Sequence, residues 1–128
     1  MKKETLPLNA MIVEDEKDLC FLLSLALQQM HLIISCANTI TEAKRSIRKI
    51  NPALLFLDNH LPDGSGIDFI GDVKRECPST KIVMITAHNS LIDIKSAMSK
   101  GADCFISKPF TLAAIRNTID LLAPAKTG

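Results

Sequence analysis

Five short, almost unbroken apolar runs, each followed by a helix-length segment, constrain this chain more than any other feature in it. The runs fall at residues 8–13, 32–36, 54–58, 81–85 and 104–107. Turn formers bound them, so each reads as a strand covered on both faces. Between and after them lie segments of ten or more residues at 17–30, about 39–50, 67–76, 90–100 and 111–122, with apolar positions three and four apart. Strands alternating with helices imply a parallel sheet with helices packed on both sides. The expected fold class is therefore α/β, a doubly wound (βα)5 domain around one five-stranded parallel sheet.

Local signals support these boundaries. Within 17–30, Leu19, Leu22, Leu23, Ala26, Leu27 and Met30 share one face, and Phe21 and Leu25 fall off it. Thr39 followed by Glu42 has the form of a capping box. Pro52, Pro78 and Pro124 each follow a helix end, and Gly101 closes the fourth helix. On that helix Leu91, Ile94, Ala97 and Met98 are expected to face the core, with Ile92 pointing elsewhere. On the last helix Leu112, Ile115, Ile119 and Leu122 form the expected core stripe, with Ala114 and Leu121 on a lesser apolar face.

Composition narrows the class of partner. A chain of 128 residues suits one domain, expected over 8–123, with 1–7 and 124–128 as flexible ends. A net charge of +1 and the lack of Trp and Tyr argue against nucleic-acid contact by this domain. No apolar run approaches a membrane span, and no signal-peptide apolar region follows the charged start, so a cytoplasmic protein is expected. The four cysteines, Cys20, Cys36, Cys77 and Cys104, show no zinc-ligand spacing and read as reduced structural thiols.

The residues that follow the strands carry the chemistry. Glu14 and Asp15 follow the first, Asp58 ends the third, Thr86 follows the fourth and Lys108 the fifth. In a parallel sheet these ends share one edge, the edge where open α/β sheets bind ligands. Clustered carboxylates repel, and a divalent cation relieves the repulsion. Oxygen-only donors favour Mg²⁺, which keeps waters and a substrate phosphate. Lys108 suits a phosphoryl group as a point charge, and Thr86 suits it as a hydroxyl donor. A carboxylate can itself be the nucleophile, forming an aspartyl phosphate. Taken singly, each residue has a bland role as a cap, a turn residue or a surface charge. Their shared edge is what joins them.

The chain resembles the receiver domain of bacterial two-component response regulators. The resemblance rests on Val13-Glu14-Asp15, on Asp58-x-x-Leu61-Pro62-x-x-x-Gly66, on Thr86-Ala87, and on Gly101-Ala102-Asp103-x-Phe105-x-x-Lys108-Pro109-Phe110. It spans about residues 10–122 and implies a flavodoxin-like receiver fold. It also implies that Asp58 is the phosphoacceptor for a histidine kinase or phosphotransfer protein. Glu14, Asp15, Asp58 and the backbone carbonyl of His60 would hold Mg²⁺. Position 14 is commonly Asp in that family, so Glu14 is a departure whose longer reach would admit a water. Thr86, the Ala87 N–H and Lys108 would hold the phosphoryl oxygens, and the Lys108–Pro109 bond would be cis. Thr86 and Phe105 would form the switch, changing the face made by helix four, strand five and helix five, where a homodimer or an effector is expected.

Further expectations attach to single positions. One or both of His60 and His88 are expected to alter the lifetime of the aspartyl phosphate, while His31 has no functional reading. Phe21 and Leu25 are candidates for kinase contact. The competing function is a Mg²⁺-dependent phosphohydrolase with an Asp nucleophile. Such enzymes carry a second acid two residues on, where this chain has His60. The expected activity is therefore that of a switch rather than an enzyme, acting on a partner or on an attached DNA-binding output domain.

Overall fold

A computed structural model of the chain describes residues 8–87 and 90–122. The main elements are β1 (Asn9–Val13), α1 (Lys17–Gln29), β2 (Ile33–Ala37), α2 (Ile40–Ile50), β3 (Leu54–Asp58), α3 (Gly66–Glu76), β4 (Lys81–Thr86), α4 (Leu91–Lys100), β5 (Cys104–Ser107) and α5 (Leu112–Leu122). All five strands pair in parallel, in the order β2-β1-β3-β4-β5. The expected α/β architecture is the observed one. Successive connections run to opposite sides of β1, so the order reverses between β1 and β3. Doubly wound sheets open a crevice at such a point, outside the carboxyl ends of the strands.

Alternation along each strand divides the core in two. Met11, Val13, Leu55, Leu57, Ile82 and Met84 face the layer of α2, α3 and α4. Ala10, Ile12, Leu54, Phe56, Val83 and Ile85 face the layer of α1 and α5. Every residue of the central β3 is buried, which is why its sequence lacks polar alternation. The edge strand β2 is different, with Ile33 53% exposed.

Helix faces were less legible. Leu22 is 48% exposed, because α1 turns Cys20 with Leu23, Ala26 and Leu27 toward the core instead, while Met30 just past its end packs there as expected. On α4 only Ala97 is buried, while Leu91 and Met98 are 65% and 43% exposed. This helix joins β4 to the edge strand β5, where little sheet remains beneath its apolar arc. Leu112 is 52% exposed at the first turn of α5, and Thr118 joins Ile115 and Ile119 inside. Ile92 and Leu121 point outward as expected.

The loop after β3 is more ordered than its turn-forming sequence implies. His60–Leu61 pairs antiparallel with Gly64–Ser65. Asp63, between them, reaches across to α2, where its carboxylate accepts from the Ile40 and Thr41 N–H groups and the Thr41 hydroxyl at 2.6–2.9 Å. These bonds, the Thr41 hydroxyl first, hold the Asp63 carboxyl down at about 2. Thr39 caps the same helix by accepting from the Glu42 N–H, but Glu42 accepts from Asn38 N–H, so the capping box is displaced by one residue. At the other end of the loop, Asn59 Oδ1 accepts from Ser65 Oγ and Ile67 N–H, capping α3. Gly66 is obligatory here, since a Cβ would lie 2.1 Å from the Asp58 carbonyl oxygen.

Candidate functional site

Glu14 and Asp15 leave β1, and Asp58 ends β3, on either side of the crevice. Parallel register does the gathering: Val13 pairs with Leu57, and Asp58 pairs with Ile85, one residue before Thr86. The ligand oxygens of Glu14, Asp15 and Asp58 lie within 4.8 Å of one another. Glu14 and Asp58 are buried, at 2% and 4% exposure, and Asp15 is exposed at the mouth.

Lys108 closes the group. Its Nζ lies 2.9 Å from Glu14 Oε1, 3.5 Å from Asp58 Oδ2 and 3.9 Å from Glu16 Oε1. Its backbone N–H donates to the Thr86 carbonyl at 2.9 Å, which ties the loop after β5 to the end of β4. The following Lys108–Pro109 peptide is cis. Asp58 Oδ1 accepts from the His60 N–H at 3.3 Å, and Glu14 Oε2 accepts from the Glu16 N–H at 3.2 Å.

The electrostatics follow from burial. Burial pushes the Glu14 carboxyl up to about 7. The Lys108 hydrogen bond and the Glu16 N–H oppose that rise, and repulsion from Asp58 adds to it. Burial works against the Lys108 ammonium, yet the Glu14 hydrogen bond and the Asp58 charge outweigh it and hold Lys108 above its ordinary value. One ammonium thus faces three acids. The donor set is oxygen-only, compact and excess in negative charge, which suits a hard divalent cation of the Mg²⁺ type and not zinc.

Thr86 is fully buried at the strand end, and Ala87 beside it is exposed. Phe105 is half-buried against the α3–α4 side of the core. It pairs in register with Met84, two residues before Thr86, so Phe105 and Thr86 lie on the same face of adjacent strands. The His60 residue is exposed at the site's rim. His88 lies outside the described residues, as do the expected flexible ends and the last expected domain residue, Ala123.

Glu14, Asp15, Asp58, His60, Thr86, Ala87 and Lys108 stand at this one edge, Phe105 lies two residues back along its strand, and Phe21 and Leu25 lie on α1. Glu16, Asn59, Asp63 and Gly66 also shape this edge, though their residue types alone do not point to it. Glu16 follows Glu14 and Asp15 directly and is exposed, so in sequence it has the look of an ordinary surface acid. Asn59, Asp63 and Gly66 sit in a stretch rich in turn formers; the partners of Asn59 and Gly66 lie within the same loop, and only those of Asp63 are distant in sequence.

Among known proteins, the response regulator receiver domain family matches residues 10–120. The chain is 36% identical over 111 residues to the response regulator protein PilR of Pseudomonas aeruginosa, a match covering 87% of this chain and 25% of PilR. It spans about a quarter to a half of the length of the curated relatives it matches, several of them transcriptional regulators. Two solved structures are close in shape. The signal receiver domain of a LuxO repressor protein from Vibrio parahaemolyticus superposes with a TM-score of 0.85 at 28% identity, covering 91% of this chain and 89% of that one. The beryllofluoride-activated NtrC4 receiver domain dimer superposes with a TM-score of 0.85 at 31% identity, covering 89% and 94%.

Proposed function

This chain belongs to the response regulator receiver domain family of two-component systems, and from that premise we propose that it is a phosphorylation-driven switch whose phosphoacceptor is Asp58. The observation that carries the reading is Lys108 Nζ, set between Glu14 and Asp58 at the crevice of the sheet. The donor is a phosphohistidine on a histidine kinase or phosphotransfer protein. A carboxylate oxygen of Asp58 attacks the phosphorus, the P–N bond breaks, and the electron pair returns to the imidazole nitrogen. Lys108, the Thr86 hydroxyl and the Ala87 N–H take up the phosphoryl oxygens. Phosphoryl transfer asks little else of a protein than such positioning and charge neutralisation.

Glu14, Asp15, Asp58 and the His60 carbonyl would hold Mg²⁺. Bound there, the ion supplies positive charge against the transferring phosphoryl group. Return to the resting state is hydrolysis. Water attacks phosphorus, the P–O bond to Asp58 breaks, and phosphate leaves. His60 and His88 lie two residues after Asp58 and Thr86 in sequence, and one or both alter the rate of that step. The chain is thus a switch rather than a turnover enzyme. The phosphohydrolase alternative lacks its second acid, since position 60 is His.

Thr86 and Phe105 would carry the signal. Thr86 moves toward the phosphoryl group, Phe105 turns into the vacated space, and phosphorylation biases an existing two-state equilibrium. The face of α4, β5 and α5 changes and takes a homodimer partner or an output domain, with Ile92 and Leu121 exposed there at 80% and 81%. Phe21 and Leu25, 64% and 42% exposed on α1, are the kinase-facing residues. The unit spans 8–123 and works in the cytoplasm without touching nucleic acid itself. No helix among the described residues is long and apolar enough to cross a membrane.

Acetyl phosphate with Mg²⁺, followed by intact mass, tests the chemistry. Wild type should gain one phosphoryl group, and Asp58→Asn should gain none. No gain with several phosphodonors, or an equal gain in Asp58→Asn, would overturn it.

A further inference from the structure

Two thiols far apart in sequence meet beside the acidic loop. Cys20 in α1 and Cys36 in β2 are separated by 16 positions, yet their sulfurs lie 2.7 Å apart, with the Cys20 thiol donating. Ser24 Oγ donates to the Cys20 carbonyl and lies 3.8 Å from Cys36 Sγ. Cys36 is exposed and Cys20 half-buried. Neither has a part in the phosphoryl chemistry. Cys77 behaves differently, buried and donating to the Ile47 carbonyl at 3.5 Å.

We propose that Cys20 and Cys36 form an oxidisable thiol pair, a reversible disulfide site driven by a hydroperoxide. A disulfide needs sulfurs about 2.05 Å apart, so less than an ångström of further approach closes the bond. Exposure makes Cys36 the first nucleophile, since a peroxide reaches its sulfur before that of half-buried Cys20. Burial and the Cys36 contact push the Cys20 thiol up to about 12, which keeps it protonated and leaves the first attack to Cys36, and its position beside the Cys36 sulfur makes it the resolving thiol.

The Cys36 thiolate attacks a peroxide oxygen. An S–O bond forms as the O–O bond breaks, hydroxide leaves and takes up the proton released by the Cys36 thiol to depart as water, and Cys36 becomes a sulfenic acid. The Cys20 sulfur then attacks the Cys36 sulfur, the S–O bond breaks, and water departs with the Cys20 proton. In sum two thiols lose two electrons and two protons, and hydrogen peroxide is reduced to two waters.

The bond would staple α1 to the sheet's edge strand. Cys36 precedes Ala37, whose carbonyl accepts from the Glu14 N–H at 3.0 Å, and Cys20 lies one turn beyond Glu16, to whose carbonyl it donates. The crosslink therefore fixes the helix that carries exposed Phe21, Leu22 and Leu25 to the backbone that holds the acidic loop.

The test takes the full reduced chain, adds hydrogen peroxide, and reads intact mass, thiols and melting temperature. Wild type should lose two hydrogens, yield a Cys20–Cys36 peptide on non-reducing digestion, and revert with dithiothreitol. Alkylation under denaturing conditions should then find only Cys77 and Cys104. Closing a loop of this size should raise the melting temperature by roughly 5–10 °C. Cys36→Ser should lose both the mass change and the thermal shift, while Cys20→Ser should stop at a dimedone-reactive sulfenic acid on Cys36. A crosslink through Cys77 or Cys104, a crosslink between chains, or stepwise oxygen addition without loss of hydrogens would overturn the proposal.

Discussion

Gly66→Ala should damage stability and phosphorylation together, for a reason confined to a few atoms. An added Cβ would lie 2.1 Å from the Asp58 carbonyl oxygen, 3.0 Å from its carbonyl carbon and 3.1 Å from Asn59 Cα. An ordinary C···O approach is about 3.3 Å, so the two backbone segments must part by roughly 1 Å. All three clashing atoms are backbone, and no side chain can swing aside. The separation strains the Gly66 N–H bond to the Asn59 carbonyl at 2.9 Å and the Ile67 N–H bond to Asn59 Oδ1 at 3.0 Å. Each is worth about 1 kcal/mol net, and overpacking adds about 1–3 kcal/mol. Alanine's better helix propensity returns about 1 kcal/mol, leaving a loss of about 2–4 kcal/mol. Misplacing a reacting group by 1 Å costs on the order of 10²-fold in rate, so phosphorylation by acetyl phosphate should fall by that factor. Urea unfolding and an intact-mass time course measure the two effects. Gly71→Ala is the control. It sits inside α3 with nothing within 4 Å of a new Cβ, and should stabilise by roughly 0.5–1 kcal/mol. A Gly66→Ala protein with wild-type midpoint and wild-type phosphorylation rate would refute the reasoning.

Three other perturbations separate the site from its scaffold. Glu14 has its folded-state pKa raised to about 7, so its contribution to stability is full below about 4.5 and is lost as pH rises through 7. In EDTA, wild type should therefore lose on the order of 1–3 kcal/mol relative to Glu14→Gln between pH 5 and 8, and urea midpoints running parallel in the two proteins would count against it. Asp63 has the opposite sign: its carboxyl is held at about 2, so its contribution is present above about 4 and lost as pH falls through 2. Asp63→Ala should speed hydrogen exchange at the Ile40 and Thr41 amides at neutral pH, and unchanged protection there would show that the bonds from this loop do not hold the α2 terminus. Phe56, 1% exposed in the central strand, should cost about 3–5 kcal/mol as Phe56→Ala in urea unfolding, and a loss under 1 kcal/mol would mean the α1–α5 side of the core collapses around it.

The sheet and the make-up of its reactive edge were legible in the chain itself. A strand such as Leu54–Asp58 is covered on both faces, so burial leaves it no polar alternation and its sequence reads without knowledge of its neighbours. Parallel connectivity then puts every strand's carboxyl end on one edge, and Glu14, Asp15, Asp58, Thr86 and Lys108 meet there whatever the details of packing. Helix orientation was decided by tertiary structure. An apolar arc on α4 does not say how much sheet lies under it, and beside an edge strand Leu91 and Met98 stay in water. Contacts between segments distant in sequence were also decided there. Asp63 capping α2 and the meeting of Cys20 with Cys36 depend on where separate loops and helices come to rest, and the clearance that only Gly66 leaves over Asp58 depends on how tightly the loop after β3 folds back on itself. Periodicity reports which side of an element is apolar, and only packing reports what arrives from elsewhere to meet it.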